Sequence, residues 1–203
     1  MSNITRVPQR NRVQFDDPPF VKALFNSTDW SWLWLLVRLY LGYSWLSAGL
    51  GKLSNPAWTQ TGTALQGFWE RAVAVPDAPA RPAIAFGWYR AFIQVMLDGG
   101  HYVWFAKLVT VGELLVGVAL ILGLFTGIAA FFGGFMNWNY LMAGTASTNP
   151  ALFLLAIVLV LAWKTAGWWG LDRWILPLLG TPWRPGTIFR GDSEVAQDPR
   201  TSG

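Results

Sequence analysis

The sequence predicts an all-α membrane protein: a four-transmembrane-helix bundle with interfacial helices in the loop between spans one and two. Three observations lead there. Hydrophobic residues make up 53% of the 203-residue chain and charged residues only 13%, against roughly 25% charged in a typical soluble domain. Four segments stay apolar for about the 20 residues a helix needs to cross a bilayer. Of the fourteen tryptophans, many sit at the ends of those segments (Trp30, Trp32, Trp104, Trp168, Trp169), where an amphipathic ring anchors a helix at the headgroups.

Residues 1–29 are polar, basic and broken by Pro8, Pro18 and Pro19, which reads as a cytoplasmic arm with a short amphipathic piece at 21–25. The arm has no apolar core of signal-peptide type, so span one, residues 30–50, is expected to act as its own insertion signal. Spans two and three are 104–122 and 124–143, joined by a tight Gly-Leu-Phe-Thr turn. Span four, 151–169, follows Asn149-Pro150, a cap residue and a proline suited to a first helical position. The four-helix membrane domain thus runs over 30–179, and residues 180–203 form a Pro/Arg/Asp-rich tail expected to be flexible.

The connection between spans one and two is too long for a plain loop. It holds two segments of mixed polarity, 58–75 and 83–97, around Pro76, Pro79 and Pro82, read as helices at the membrane surface or folded over the bundle mouth. Orientation follows from charge. Arg6, Arg10, Arg12 and Lys22 precede span one, and Arg173, Arg184, Arg190 and Arg200 follow span four. Positive charge marks the cytoplasmic side, which places both termini there. Lys52, Arg71, Arg81 and Arg90 of the long loop run against this, but long translocated segments obey the rule poorly.

Composition also excludes chemistry. With no cysteine and one histidine, the chain offers no disulfide, no iron–sulfur cluster, no thiolate metal site, no covalently attached haem and no bis-histidine haem. The net charge of +4 gathers at the two ends rather than along one face, so no nucleic-acid partner is expected; the lipid bilayer is the expected surroundings.

Two ionisable residues fall well inside apolar spans, Arg38 in span one and Glu113 in span two. Counted from the span ends at about 1.5 Å per residue they reach similar depth. An isolated charge there costs about 3 kcal/mol even on the lenient insertion scale, so an Arg38–Glu113 contact is expected near mid-membrane. It reads either as a structural brace or as the centre of a ligand site. Span one carries Arg38, Gly42, Trp45, Gly49 and Lys52 on one face, and span two carries Thr110, Glu113, Gly117 and Leu120. Small residues let neighbouring helices or a flat ligand approach closely. With Gly134, Asn137 and Asn139 of span three, and with Lys52 and His101, these faces suggest a polar pocket opening outward under the long loop. Each feature has a plain reading too: packing glycines, interhelical asparagines, an interfacial histidine, snorkelling lysines.

The order of motifs is familiar. Arg38-x3-Gly42 followed by Ala48-Gly49-x-Gly51-Lys52-Leu53 and Pro56, then Gly112-Glu113-Leu114-x2-Gly117, then Leu122-Gly123-Leu124-Phe125-Thr126, then Ala143-Gly144-x-Ala146-Ser147-Thr148-Asn149-Pro150 resembles the DoxX family. Gly167-x2-Gly170-Leu171-Asp172-Arg173 resembles that family's closing motif, and the likeness extends over residues 30–179. Within the family the chain is most similar to DoxD-like large subunits of thiosulfate:quinone oxidoreductase. That resemblance implies a multi-pass protein of a prokaryotic cytoplasmic membrane, electron transfer from thiosulfate to a diffusible quinone, and a small DoxA-like partner. It implies Arg38, Lys52, Glu113 and Asp172 as recurring polar residues. On this reading Arg38 and Glu113 are the catalytic pair, and Lys52, His101, Trp45 and Asn137 bind substrate. The alternative is a non-catalytic accessory subunit of a larger respiratory or photosynthetic complex.

Overall fold

The computed structural model describes residues 17–181; the first part of the arm and most of the tail, with the arginines used for orientation there, lie outside the described residues. Every regular element among the described residues is helical. They are α1 (Pro19–Asn26), a 3-10 turn (Thr28–Trp30), α2 (Ser31–Leu53), α3 (Pro56–Thr59), α4 (Thr63–Val73), α5 (Gly87–Asp98), α6 (Tyr102–Leu122), α7 (Thr126–Met142), α8 (Asn149–Leu161), α9 (Trp163–Ala166) and α10 (Asp172–Leu178).

The first three predicted spans appear as α2, α6 and α7. The fourth is interrupted: α8 ends at Leu161 and α9 resumes at Trp163. At the junction the amides of Thr165 and Ala166 both donate to the Ala162 carbonyl, at 2.9 and 2.8 Å, a turn tightened toward 3-10 geometry, and the Thr165 hydroxyl donates to the Phe25 carbonyl of α1. Among the described residues only α6 is by itself long and apolar enough to cross a membrane, and just 33% of its apolar stretch is buried. The rest of that stretch faces outward. Leu108, Val111, Leu115, Val118 and Leu122 form an exposed stripe on it, while Thr110, Glu113, Asn137 and Arg38 are buried. Apolar outside and polar inside is the inverse of a water-soluble distribution.

Glycine sets the packing of α2 on α6. A methyl at Gly117 would lie 2.5 Å from the Leu46 amide nitrogen, one at Gly49 would lie 2.9 Å from Leu114, and one at Gly42 would lie 2.8 Å from Ile121. The two antiparallel helices therefore touch backbone to backbone, as the small-residue faces predicted. Leu41, Trp45, Val116, Leu120, Ala129 and Leu159 fill the core between α2, α6, α7 and α8.

A second core lies under the long loop, where Leu65, Trp69 and Ala72 of α4 and Tyr89 and Ile93 of α5 pack with Ile84, Ala106 and Ala143. The two loop segments thus fold over the start of α6 and the end of α7. Asn55 caps α3 by accepting from the Ala57 amide at 2.9 Å, with Pro56 in the first turn, the arrangement expected of that pair. The Tyr89 phenol donates to the Asn139 carbonyl at 3.1 Å, and burial pushes it up to about 12, so it remains a donor through the neutral range. At the other end α1 docks by the Trp34 indole, which donates to the Leu24 carbonyl at 2.9 Å.

Replacing Gly117 by Leu drives a side chain into the Leu46 backbone, which cannot rotate away. Destabilisation of at least about 1–3 kcal/mol is expected, measured as a fall in unfolding midpoint in detergent micelles, while an equivalent change at Gly51, which has open space around it, leaves the midpoint nearly unmoved.

Candidate functional site

The packing register decides which charges meet. Gly42 faces Ile121, Leu46 faces Gly117 and Gly49 faces Leu114, so each step down α2 is a step back along α6. Extrapolated along the pair, Glu113 falls level with the last turns of α2 and Arg38 falls near Gly123. The two are about 18 Å apart along the helix axis at about 1.5 Å per residue. The expected Arg38–Glu113 contact is therefore not made. Counting from span ends misjudged the depth because the glycine contacts, not the ends, fix how the helices slide.

Glu113 pairs instead with Lys52. The ammonium lies 2.7 Å from Oε2 and 2.9 Å from Oε1, and the Tyr140 phenol donates to Oε1 at 2.9 Å. Glu113 is 1% exposed and Lys52 18%, so the carboxylate is sealed while the lysine keeps an edge toward the outside. The ammonium also sits 5.0 Å from the Trp58 ring centroid, a cation–π contact contributed by α3. Three helices and the loop thus converge on one carboxylate.

These groups form the wall of a cavity of about 540 Å³, within the size range of small-molecule sites. Trp45, Lys52, Glu113, Asn137 and Tyr140 line its interior, and Trp58, Phe68 and Arg71 of the long loop roof it. Asn137 is fully buried, and neither its amide nitrogen nor its oxygen has a hydrogen-bond partner among the described residues. The Trp45 indole nitrogen is in the same position. An unmatched buried donor or acceptor costs about 1–3 kcal/mol, so a polar occupant of the cavity would relieve a real deficit.

The sequence-predicted residues divide accordingly. Lys52, Glu113, Trp45 and Asn137 come together. His101 does not join them: it is exposed at the start of α6, its Nδ1 accepting from the Trp104 indole at 3.2 Å, and it lies apart from the cavity lining. Arg38 belongs to a second cluster at the opposite end. Its Nη2 donates to the Trp169 carbonyl at 3.2 Å, and it lies within Coulombic reach of Asp172. Asp172 accepts from the Phe125 amide at 2.6 Å and the Thr126 amide at 2.9 Å, which caps the start of α7 with a negative charge where the helix dipole favours one. In return the Leu171 and Asp172 amides donate to the carbonyls of Leu122 and Gly123 at 3.1 and 2.8 Å. Gly123 and Gly170 flank the guanidinium so closely that a methyl on either would strike Nη1.

Tyr140 and Arg71 went unread in the sequence as site residues. Tyr140 had a signal, since it stands three residues after Asn137 and so shares its helix face. Arg71 had none, because only the folded loop brings α4 over the cavity.

The sequence profile of a family described as DoxX matches residues 33–143. The match takes in Arg38 and all five interior lining residues and stops short of Asp172. No curated protein and no solved structure matches the chain.

Two outcomes follow from the geometry. Lys52→Met strands a sealed carboxylate and should cost about 3–5 kcal/mol, whereas Glu113→Gln leaves a lysine that can turn outward and should cost about 1 kcal/mol. The double variant should recover most of the Lys52→Met loss, as read from denaturant unfolding in micelles. Gly123→Ala, at φ +66° and against Arg38, should cost at least about 1–3 kcal/mol in the same assay.

Proposed function

The chain belongs to the DoxX family, whose members are membrane-associated, and on that premise we propose that it is the membrane subunit of a quinone-linked oxidoreductase working at the Glu113 cavity. In this reading α2, α6, α7 and the α8–α9 pair are the four spans, both termini are cytoplasmic, and α3 to α5 cover the outer mouth.

Asn137 is the observation that carries the reading. A fully buried amide without a hydrogen-bond partner among the described residues lines the same cavity as an acid–base cluster of Lys52, Glu113 and Tyr140. A quinone ring asks for that combination: a fixed donor for one carbonyl oxygen and groups that can hand over protons as electrons arrive. The Asn137 Nδ2 donates to and orients a carbonyl, Trp45 supplies a flat wall, and Lys52 or Tyr140 delivers a proton. Lys52, whose edge reaches the outside, takes up a new proton from there, and the Glu113 carboxylate holds the recharged ammonium in place. Arg38 has no part in these steps.

In this reading the electron donor is thiosulfate, as the resemblance to DoxD-like subunits implies. Two thiosulfate ions join through a new S–S bond to give tetrathionate and release two electrons; the quinone takes up those electrons with two protons. Lys52 and Arg71 place positive charge at the mouth, which raises the local concentration of a dianion. A small DoxA-like partner would complete the donor side.

Purified wild-type protein should reduce a short-chain quinone with thiosulfate as donor. Glu113→Gln should lower turnover at least about 100-fold, the usual worth of a positioned acid–base group, while the variant still purifies as a folded protein. Absence of turnover in the wild type, together with stable copurification of other respiratory subunits, would replace this reading with that of an accessory subunit.

A further inference from the structure

The shape of the cavity says more about its occupant than its chemistry does. Its lining includes Tyr40, Ser44, Ala48 and Lys52, which are spaced four apart and so share one edge of α2. From Tyr40 to Lys52 that edge is about 18 Å long at about 1.5 Å per residue. The cavity is therefore a slot along the helix rather than a round pocket.

Its two ends differ. Lys52, Glu113, Asn137 and Tyr140 gather at one. At the other are Ala48, Ser44 and Tyr40, while Leu152 of α8 stands about level with Asn137, because Gly134 of α7 meets Ala156. The Ser44 hydroxyl donates to the Tyr40 carbonyl at 2.9 Å, which removes it from the slot's polar inventory. Tyr40 is 54% exposed on the outer surface of the bundle. Since α2 packs chiefly on α6, and α8 on α7, the α2–α8 seam is the looser one, and the slot opens sideways along it. In the proposed orientation the polar end lies near the outer headgroups and the apolar end points toward the middle of the bilayer.

We infer that the slot admits a long-tailed amphiphile from the side, its polar ring held at Glu113, Lys52 and Asn137 and its apolar tail lying along the Tyr40–Ser44–Ala48 edge of α2. The occupant assigned is a quinone with an isoprenoid or alkyl tail, which rests on the function proposed above for the identity of the ring. A phospholipid offers tails and ester carbonyls too, but no flat ring that sets a carbonyl acceptor at Asn137 while lying against Trp45.

Because the chain has no cysteine, Ser44→Cys gives a single attachment point for a nitroxide label in the full-length protein. Ala48→Cys serves if that variant does not fold, and Leu115→Cys on the exposed stripe of α6 is the control. After reconstitution in phosphatidylcholine–phosphatidylglycerol vesicles, the label at residue 44 should collide with oxygen more than with a charged nickel chelate. Decyl-tailed quinone should immobilise it, the ring without a tail should not, and the label at 115 should respond to neither. Preferential collision with the nickel chelate would overturn the lateral opening. No response to the tailed quinone would overturn the assigned occupant and leave the slot to lipid, and immobilisation by the ring alone would overturn the placement of the tail. Immobilisation by the tailed quinone without any thiosulfate-driven reduction would keep the slot and defeat the oxidoreductase reading.

Discussion

Backbone contact between α2 and α6 is the constraint from which the site descends. Where Gly42, Gly49 and Gly117 let the two helices touch, neither can slide or rotate without a clash. That contact brings Lys52, on the last turn of α2, beside Glu113 in the middle of α6. Helices surrounded by hydrocarbon, as proposed for this bundle, associate through packing and hydrogen bonds rather than a hydrophobic drive, and close apposition of backbone supplies that packing. The ion pair, its Tyr140 bond and the cavity beside them are consequences of that register.

Two buried charges meet the same cost by different means. The Glu113 carboxylate is neutralised by a lysine whose own edge reaches the outside. Arg38 is held by the Trp169 carbonyl and by the field of Asp172, inside a cage whose walls are glycines. That arrangement suits holding parts together. Position in the membrane alone gave both residues equal standing as functional candidates; their partners separate them.

Much of the fold was legible. Apolar runs located α2, α6 and α7, the Asn-Pro pair located the start of α8, and the proline-rich break divided the loop helices. The break at Ala162 was not legible, because the apolar run continues through it without a glycine or proline. Of the site, Lys52, Glu113, Trp45 and Asn137 were recognisable as polar or aromatic residues on inward faces. A polar pocket of these faces under the long loop was expected as well; the Lys52–Glu113 pairing was not, since pairing was judged from distance to the span ends. Laying Gly42 and Gly49 against Gly117 in antiparallel order would have set Lys52 beside Glu113 and removed Arg38 from the site. His101 misled because a polar residue at a helix entrance looks the same whether it turns inward or, as here, toward Trp104.

The carboxylate of Asp172 binds the amides that begin α7, and its segment closes on the turn between α6 and α7. This has a consequence for biosynthesis. As the chain is made, α2 and α6 emerge before residue 172 exists. During that interval the first amides of α7 lack their acidic cap, and Arg38 lacks both the Trp169 carbonyl and the Asp172 charge. The Arg38 end of the helix cluster can lock only after residue 172 has been made, so the early helices must assemble with an arginine that has yet to find its final partners.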